Sequence, residues 1–91
     1  MRAIAWDDRA LTDLEAIGEY IARDNRAAAK RVVEYIVKTA HALQSMPFLG
    51  VEVDADLREF VLTRFPYVLS YEVTDDEVRI LAIFHQNQNR R

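Results

Sequence analysis

An α+β fold, a helical hairpin followed by a small antiparallel sheet, is what this sequence predicts, and three observations predict it. Apolar residues recur every three or four positions from Ala10 to Met46. From Leu57 to His85 they alternate with polar residues or form short runs. Pro47 and Gly50 stand between the two regimes. A change of period from 3.6 to 2 marks the passage from helices to strands.

Residues 2–6 read as a short strand ended by Asp7-Asp8. Asp7 is a plausible N-cap, since a carboxylate accepts from the free N–H groups of a first helical turn. Ala10, Leu11, Leu14, Ile17, Gly18 and Ile21 then form the apolar stripe of a helix running to about Arg23, with Asp13, Glu15, Glu19 and Arg23 on the solvated side. A glycine inside a helix costs about 1 kcal/mol relative to alanine. Close approach of a neighbouring helix is the expected reason for Gly18.

Asp24-Asn25 breaks the pattern, and Asn25 can cap a second helix that ends at Pro47. Its core line is Ala29, Val33, Ile36, Ala40 and Leu43, with a second apolar flank of Ala28, Val32, Tyr35, Thr39 and Ala42. So short a link makes the two helices an antiparallel hairpin. The first helix should cover one flank and the sheet the other, a groove for a partner being the sharper alternative.

Residues 47–56 read as an acidic loop carrying Glu52, Asp54 and Asp56. Three strands are expected after it, at 57–62, 65–73 and 78–85. The second places Phe65, Tyr67, Leu69, Tyr71 and Val73 on one face and Val68, Ser70 and Glu72 on the other. Thr74-Asp75-Asp76-Glu77 makes a hairpin turn. The third is apolar on both faces, Val78, Ile80, Ala82 and Phe84 against Leu81 and Ile83, and so belongs in the middle of a sheet. The order is β-α-α-β-β-β, with the helical hairpin on one face of a mainly antiparallel sheet and the first strand pairing within the three-stranded meander. The second face, left uncovered yet holding large apolar residues, is the best internal argument for a protein partner.

The 91 residues suit a single domain spanning 1–91, with a polar tail at 86–91. No apolar run approaches the roughly 20 residues needed to cross a bilayer, and the N-terminus has no apolar segment of the signal-peptide kind. There is no cysteine, which excludes disulfides, thiolate metal sites and a cysteine nucleophile and suits a reducing cytoplasm. The two histidines, His41 and His85, are too far apart in sequence to suggest a metal site, and no cofactor motif is present. The formal charge is -3, with two lysines and ten scattered arginines. The runs Lys30-Arg31 and Arg90-Arg91 are too short to make a nucleic-acid patch, so direct DNA binding by the chain itself is not expected.

The ordered set of residues resembles a known family. Trp6 precedes Ala10, Asp13-Leu14 and Ile17; Tyr20-Ile21-Ala22, Asp24-Asn25 and Ala28-Ala29 follow. Then come Leu43, Met46-Pro47, Gly50, Leu57-Arg58, Phe65-Pro66-Tyr67, Tyr71, Val78, Ile80-Leu81 and His85. The set is similar to the ParE branch of the ParE/RelE toxins of bacterial type II toxin–antitoxin pairs, over nearly the whole chain. The resemblance implies a toxin serving plasmid or chromosomal stability, neutralised by a cognate antitoxin that lays a flexible segment across it. Burial of several large apolar side chains at about 1.5–3 kcal/mol each would make that binding tight.

The two branches of the family differ in chemistry. The RelE type cuts mRNA on the ribosome with clustered cations, which stabilise charge developing on the phosphate. The ParE type inhibits DNA gyrase by binding. Here Tyr67-Val68-Leu69 stands where a nuclease would present an arginine, no basic residue follows His85 until Arg90, no tyrosine follows Tyr71, and the loop before Arg58 is acidic. These departures favour a non-enzymatic gyrase inhibitor. The alternatives are a ribosome-dependent endoribonuclease using Arg58, Arg64, Arg79 and His85, and a non-toxic member that retains antitoxin binding.

Candidate contacts to target or antitoxin are Val32, Tyr35, Arg58, Leu81, Ile83, His85, Arg90 and Arg91. Arg58 is expected either to meet a partner carboxylate or to pair with Glu72 on a neighbouring strand. His85 is expected to be satisfied by a hydrogen bond near the sheet edge, and Tyr67 and Tyr71 to pack beneath the helices. Homodimerisation through the apolar helix flank stays open.

Overall fold

A computed structural model, which describes residues 2–87, carries the chain through β1 (Ala3–Trp6), α1 (Asp8–Ala22), α2 (Arg26–Ser45), β2 (Val51–Asp54), β3 (Leu57–Val61), β4 (Tyr67–Val73) and β5 (Glu77–His85). The strands form one sheet in the order β1-β5-β4-β3-β2, antiparallel except for the parallel pair β1–β5. The fold is the expected α+β arrangement with one strand more. Residues read as loop contain β2, whose four residues are all exposed at the sheet edge. β1 joins beside β5 at the opposite edge, which puts β5, the strand apolar on both faces, inside the sheet.

The two helices meet the same face. Ala10 of α1 and Val32, Ile36, Ala40 and Leu43 of α2 close over Leu69, Tyr71, Val73, Val78, Ile80 and Ile83. Each large apolar side chain in this layer contributes about 1.5–3 kcal/mol. Gly18 lets the helices approach, since a Cβ there would lie 3.2 Å from a Val33 methyl. Asn25 caps α2 as expected, its side chain accepting from the Ala28 N–H at 2.9 Å. Asn25→Ala should therefore lower stability by about 1 kcal/mol, read as a lower urea midpoint at unchanged slope.

Two polar expectations are corrected. Asp7 occupies the N-cap position of α1 in extended conformation, but its side chain makes no cap. The carboxylate is taken by Arg79 of β5 at 3.0 Å. Asp13, expected on the solvated side, accepts from the backbone N–H of Ile83 at 3.0 Å. The short length of β1 explains this second contact. Its ladder with β5 ends at Trp6↔Ile80, so the backbone of β5 beyond Ile80 has no strand on that side.

A bulge corrects the face assignment of β5. Tyr71 pairs with Ile80 but Ser70 pairs with Ala82, so Leu81 is the extra residue. An extra residue reverses the alternation beyond it. Ile83 therefore joins Val78 and Ile80 in the core, while Ala82 and Phe84 share the other face with Ser70 and Val68. That second face also carries Val61, opposite Val68.

Candidate functional site

The segment joining α2 to the sheet is held by a polar knot beneath exposed apolar side chains. Tyr71, fully buried in β4, donates its hydroxyl hydrogen to the Pro47 carbonyl at 2.8 Å and accepts from the Gly50 N–H at 2.8 Å. Arg58 of β3 donates to the Gly50 carbonyl at 2.8 Å. Its guanidinium also lies 4.9 Å from the centre of the Phe48 ring, with Arg2 at 5.4 Å from the same ring. Burial pushes the Tyr71 hydroxyl above the ordinary tyrosine range, against smaller downward effects of the Gly50 hydrogen bond and the Arg58 charge. The knot fixes residues 47–50, and the side chains it displays face solvent. Phe48 is 59% exposed and Val51 71%, with Met46, Leu49 and Val53 also exposed.

Arg58 therefore does not pair with Glu72. β4 offers it Tyr71, not Glu72, as its register partner, and the carbonyl of Gly50 takes the guanidinium. Sequence reasoning missed this role because carbonyl and ring partners carry no charge pattern. Gly50, eight residues before Arg58, was the available signal.

The other cations of the candidate cluster lie elsewhere. Arg79 is bound to Glu77 at 2.7 Å and Asp7 at 3.0 Å, and these two hydrogen bonds raise its pKa further. Arg64, in the β3–β4 turn, lies over Tyr35 at 5.8 Å and Phe65 at 5.7 Å. His85 stacks edge-on against Tyr67 at 5.6 Å and accepts from the Asn87 N–H at 3.1 Å. Arg79 and His85 stand six positions apart along β5, about 20 Å of strand. Arg58, Arg64, Arg79 and His85 thus form no common centre. Among the described residues no group of three or more His, Asp or Glu side chains could hold a metal ion, and no helix is long and apolar enough to cross a membrane.

The partner candidates divide by exposure. Val32 and Ile83 are 5% and 4% exposed and belong to the core between helices and sheet. Val32 follows the expectation that the sheet covers a flank of α2 and leaves no partner groove there, and the bulge turns Ile83 from the second sheet face to a place beneath the helices. Tyr35, Leu81 and His85 remain partly exposed. Tyr67 and Tyr71 pack against the core as expected, and burial, aided by nearby Tyr20, raises the Tyr67 pKa. Arg90 and Arg91 lie outside the described residues.

Comparison with known proteins adds the family. Residues 4–90 match the family model for the ParE toxin of the type II toxin–antitoxin system parDE. A putative toxin Y4kP of Sinorhizobium fredii is 39% identical over 88 residues, covering 96% of this chain and 91% of the relative. Toxin RelE2 of Caulobacter vibrioides is 39% identical over 85 residues, covering 93% and 96%. A solved chain of the chromosomal ParDE system of P. aeruginosa superposes with a TM-score of 0.81 at 27% identity, covering 93% of this chain and 96% of that one.

Proposed function

Because the chain belongs to the ParE toxin family of type II toxin–antitoxin systems, we propose that it inhibits DNA gyrase by binding it and is held inactive by a cognate antitoxin. The observation that carries this reading is the dispersal of the cations. Cleavage of an RNA backbone needs several positive groups converging on one phosphate. Here Arg58 is held by the Gly50 carbonyl and Arg79 by Asp7 and Glu77, and neither is brought to Arg64 in the β3–β4 turn or to His85. The exposed side chains of Phe48, Leu49 and Val51, held in place by the Tyr71–Arg58 knot, suit contact with a protein surface.

Purified protein added to gyrase and relaxed plasmid should block supercoiling, and addition of the co-encoded antitoxin should restore it. Supercoiling left untouched by excess protein would remove gyrase as the target. The name of the Caulobacter relative, RelE2, favours ribosome-dependent mRNA cleavage as a second reading. Mapping mRNA ends after induction separates the two, because only the nuclease leaves codon-positioned breaks. Unimpaired growth with folded protein recovered would instead indicate a non-toxic member.

A further inference from the structure

An open groove of about 220 Å³ runs between α2 and the β3–β4 turn, lined by Arg31, Glu34, Tyr35, Lys38, Arg64 and Phe65. Three cations to one carboxylate is a local excess in a chain whose net charge is -3. Among the described residues, the ion pairs engage Arg9 and Arg79 and none of these three. Arg31 and Lys38 are two helical turns apart, with Tyr35 between them on the same side, a spacing of about 10 Å. Arg64 comes to them from the sheet. The sequence gives no hint of this cluster, since its members are scattered over 34 positions and converge only when the turn folds onto the helix.

The aromatic pair gives the groove its shape. Tyr35 and Phe65 meet edge to face at 5.4 Å, and the Tyr35 hydroxyl lies 3.2 Å from the Thr63 hydroxyl. The Arg64 guanidinium lies within 6 Å of both ring centres. A guanidinium stacked on aromatic rings keeps its in-plane N–H fork for a carboxylate, and part of its side-chain entropy is already lost. The rings add apolar surface beside the fork. Such a site fits a carboxylate next to an aliphatic or aromatic side chain. A phosphate chain fits it less well, because Glu34 among the three cations leaves a net of only two positive charges, which suits one or two carboxylates better than a run of phosphates.

We propose that this groove docks an acidic segment of the neutralising antitoxin, a carboxylate on Arg64 and Lys38 with an apolar neighbour against Tyr35 and Phe65. The inference rests on the reading above that such a partner exists. The groove lies along the middle of α2, from Arg31 to Lys38, while the exposed side chains of Met46, Phe48, Leu49, Val51 and Val53 follow its C-terminal end. To Ser45 the helix rises about 20 Å from Arg31 and about 10 Å from Lys38. A charged site this far from the apolar one suits a capturing partner, because opposite charge speeds encounter before the toxin meets its target.

The test compares Lys38→Glu/Arg64→Glu with Arg9→Glu/Arg23→Glu, two double variants with the same change in net charge. Affinity for the full-length co-encoded antitoxin is measured by calorimetry at low and high salt, and growth arrest is scored on induction without antitoxin. The groove variant should bind about 100-fold more weakly at low salt with a flatter salt dependence, while the control stays within about threefold. Growth arrest should persist in both. Arg64→Lys, which keeps the charge but loses the planar fork, should weaken binding by about tenfold in a protein whose melting is unchanged. Equal losses in both double variants, or no loss in the groove variant, would overturn the proposal. So would loss of growth arrest with antitoxin binding intact, which would assign the groove to the target. An unmodified chain that binds no antitoxin brings down the underlying reading, whereas binding that ignores the groove brings down only this inference.

Discussion

Gly50→Ala is expected to lower stability by about 3–5 kcal/mol, more than the same change at Gly18, where the added Cβ meets only a Val33 methyl at 3.2 Å. Backbone conformation is not the reason, since none of the glycines has a positive φ. The reason is space. A Cβ at position 50 would lie 2.5 Å from the Tyr71 hydroxyl oxygen, 2.8 Å from the same ring and 2.9 Å from the Glu59 carbonyl oxygen. Tyr71 is fully buried and hydrogen-bonded on both sides, so it cannot swing away without abandoning the Pro47 carbonyl and the Gly50 N–H. Overpacking costs about 1–3 kcal/mol, and a buried polar group left without its partner costs about 1–3 kcal/mol more. Against a total stability of about 5–15 kcal/mol, the loss should appear as a fall in melting temperature on the order of 20 °C. A variant melting within 3 °C of the parent, a margin set by roughly half a kcal/mol, would show that the loop is free to shift and that the knot does not hold it. The display of Phe48 and Leu49 depends on the same knot, so the variant should also inhibit its target less at temperatures where it remains folded.

How much of this could be read from the sequence depends on which force positioned each element. The helices were legible because burial alone placed them: the stripe from Ala10 to Ile21 and the line from Ala29 to Leu43 needed only a 3.6-residue period. Asn25 was legible as a cap because its partner, the Ala28 N–H, is local. β2 was not, although Val51-Glu52-Val53-Asp54 alternates. An edge strand is solvated on both faces, and the acidic residues that keep such an edge soluble made it look like loop. The β5 bulge was hidden for the opposite reason. With apolar residues at Ile80, Leu81, Ala82 and Ile83, either phase of alternation satisfies burial, and only pairing with β4 selects one. Asp7, Asp13 and Arg58 found partners across the fold, in Arg79, the Ile83 N–H and the Gly50 carbonyl, where no local spacing could announce them. The candidate site therefore came through as composition, and its geometry came from contacts distant in sequence.

Tyr71→Phe isolates the polar part of the same knot. The ring and its packing on Leu43 and Ile80's layer are retained, so the change removes one oxygen and leaves two buried backbone groups, the Gly50 N–H and the Pro47 carbonyl, without their partner. A loss of about 2–4 kcal/mol follows from orphaning those groups, read as a lower urea midpoint with unchanged slope. Combination with Gly50→Ala sharpens the test. Removing the hydroxyl also removes the shortest clash of the added methyl, but the contacts at 2.8 Å to the ring and 2.9 Å to the Glu59 carbonyl remain. The double variant should therefore lose less than the sum of the singles, by about 1–2 kcal/mol of coupling; strict additivity would place the two groups in separate environments. The pH dependence has a definite sign as well. The Tyr71 pKa is raised by burial, so the folded state holds its proton more tightly than the unfolded chain, whose tyrosines titrate near 10. The stability from the neutral hydroxyl is fully present below about pH 10 and is lost as pH rises from there through the folded value. Tyr71→Phe should flatten that alkaline limb in part, because Tyr67 is raised too and continues to titrate. An alkaline limb identical in parent and variant would mean that the Gly50 hydrogen bond and the Arg58 charge fully offset the burial, so that folding leaves the affinity of the Tyr71 hydroxyl for its proton unchanged.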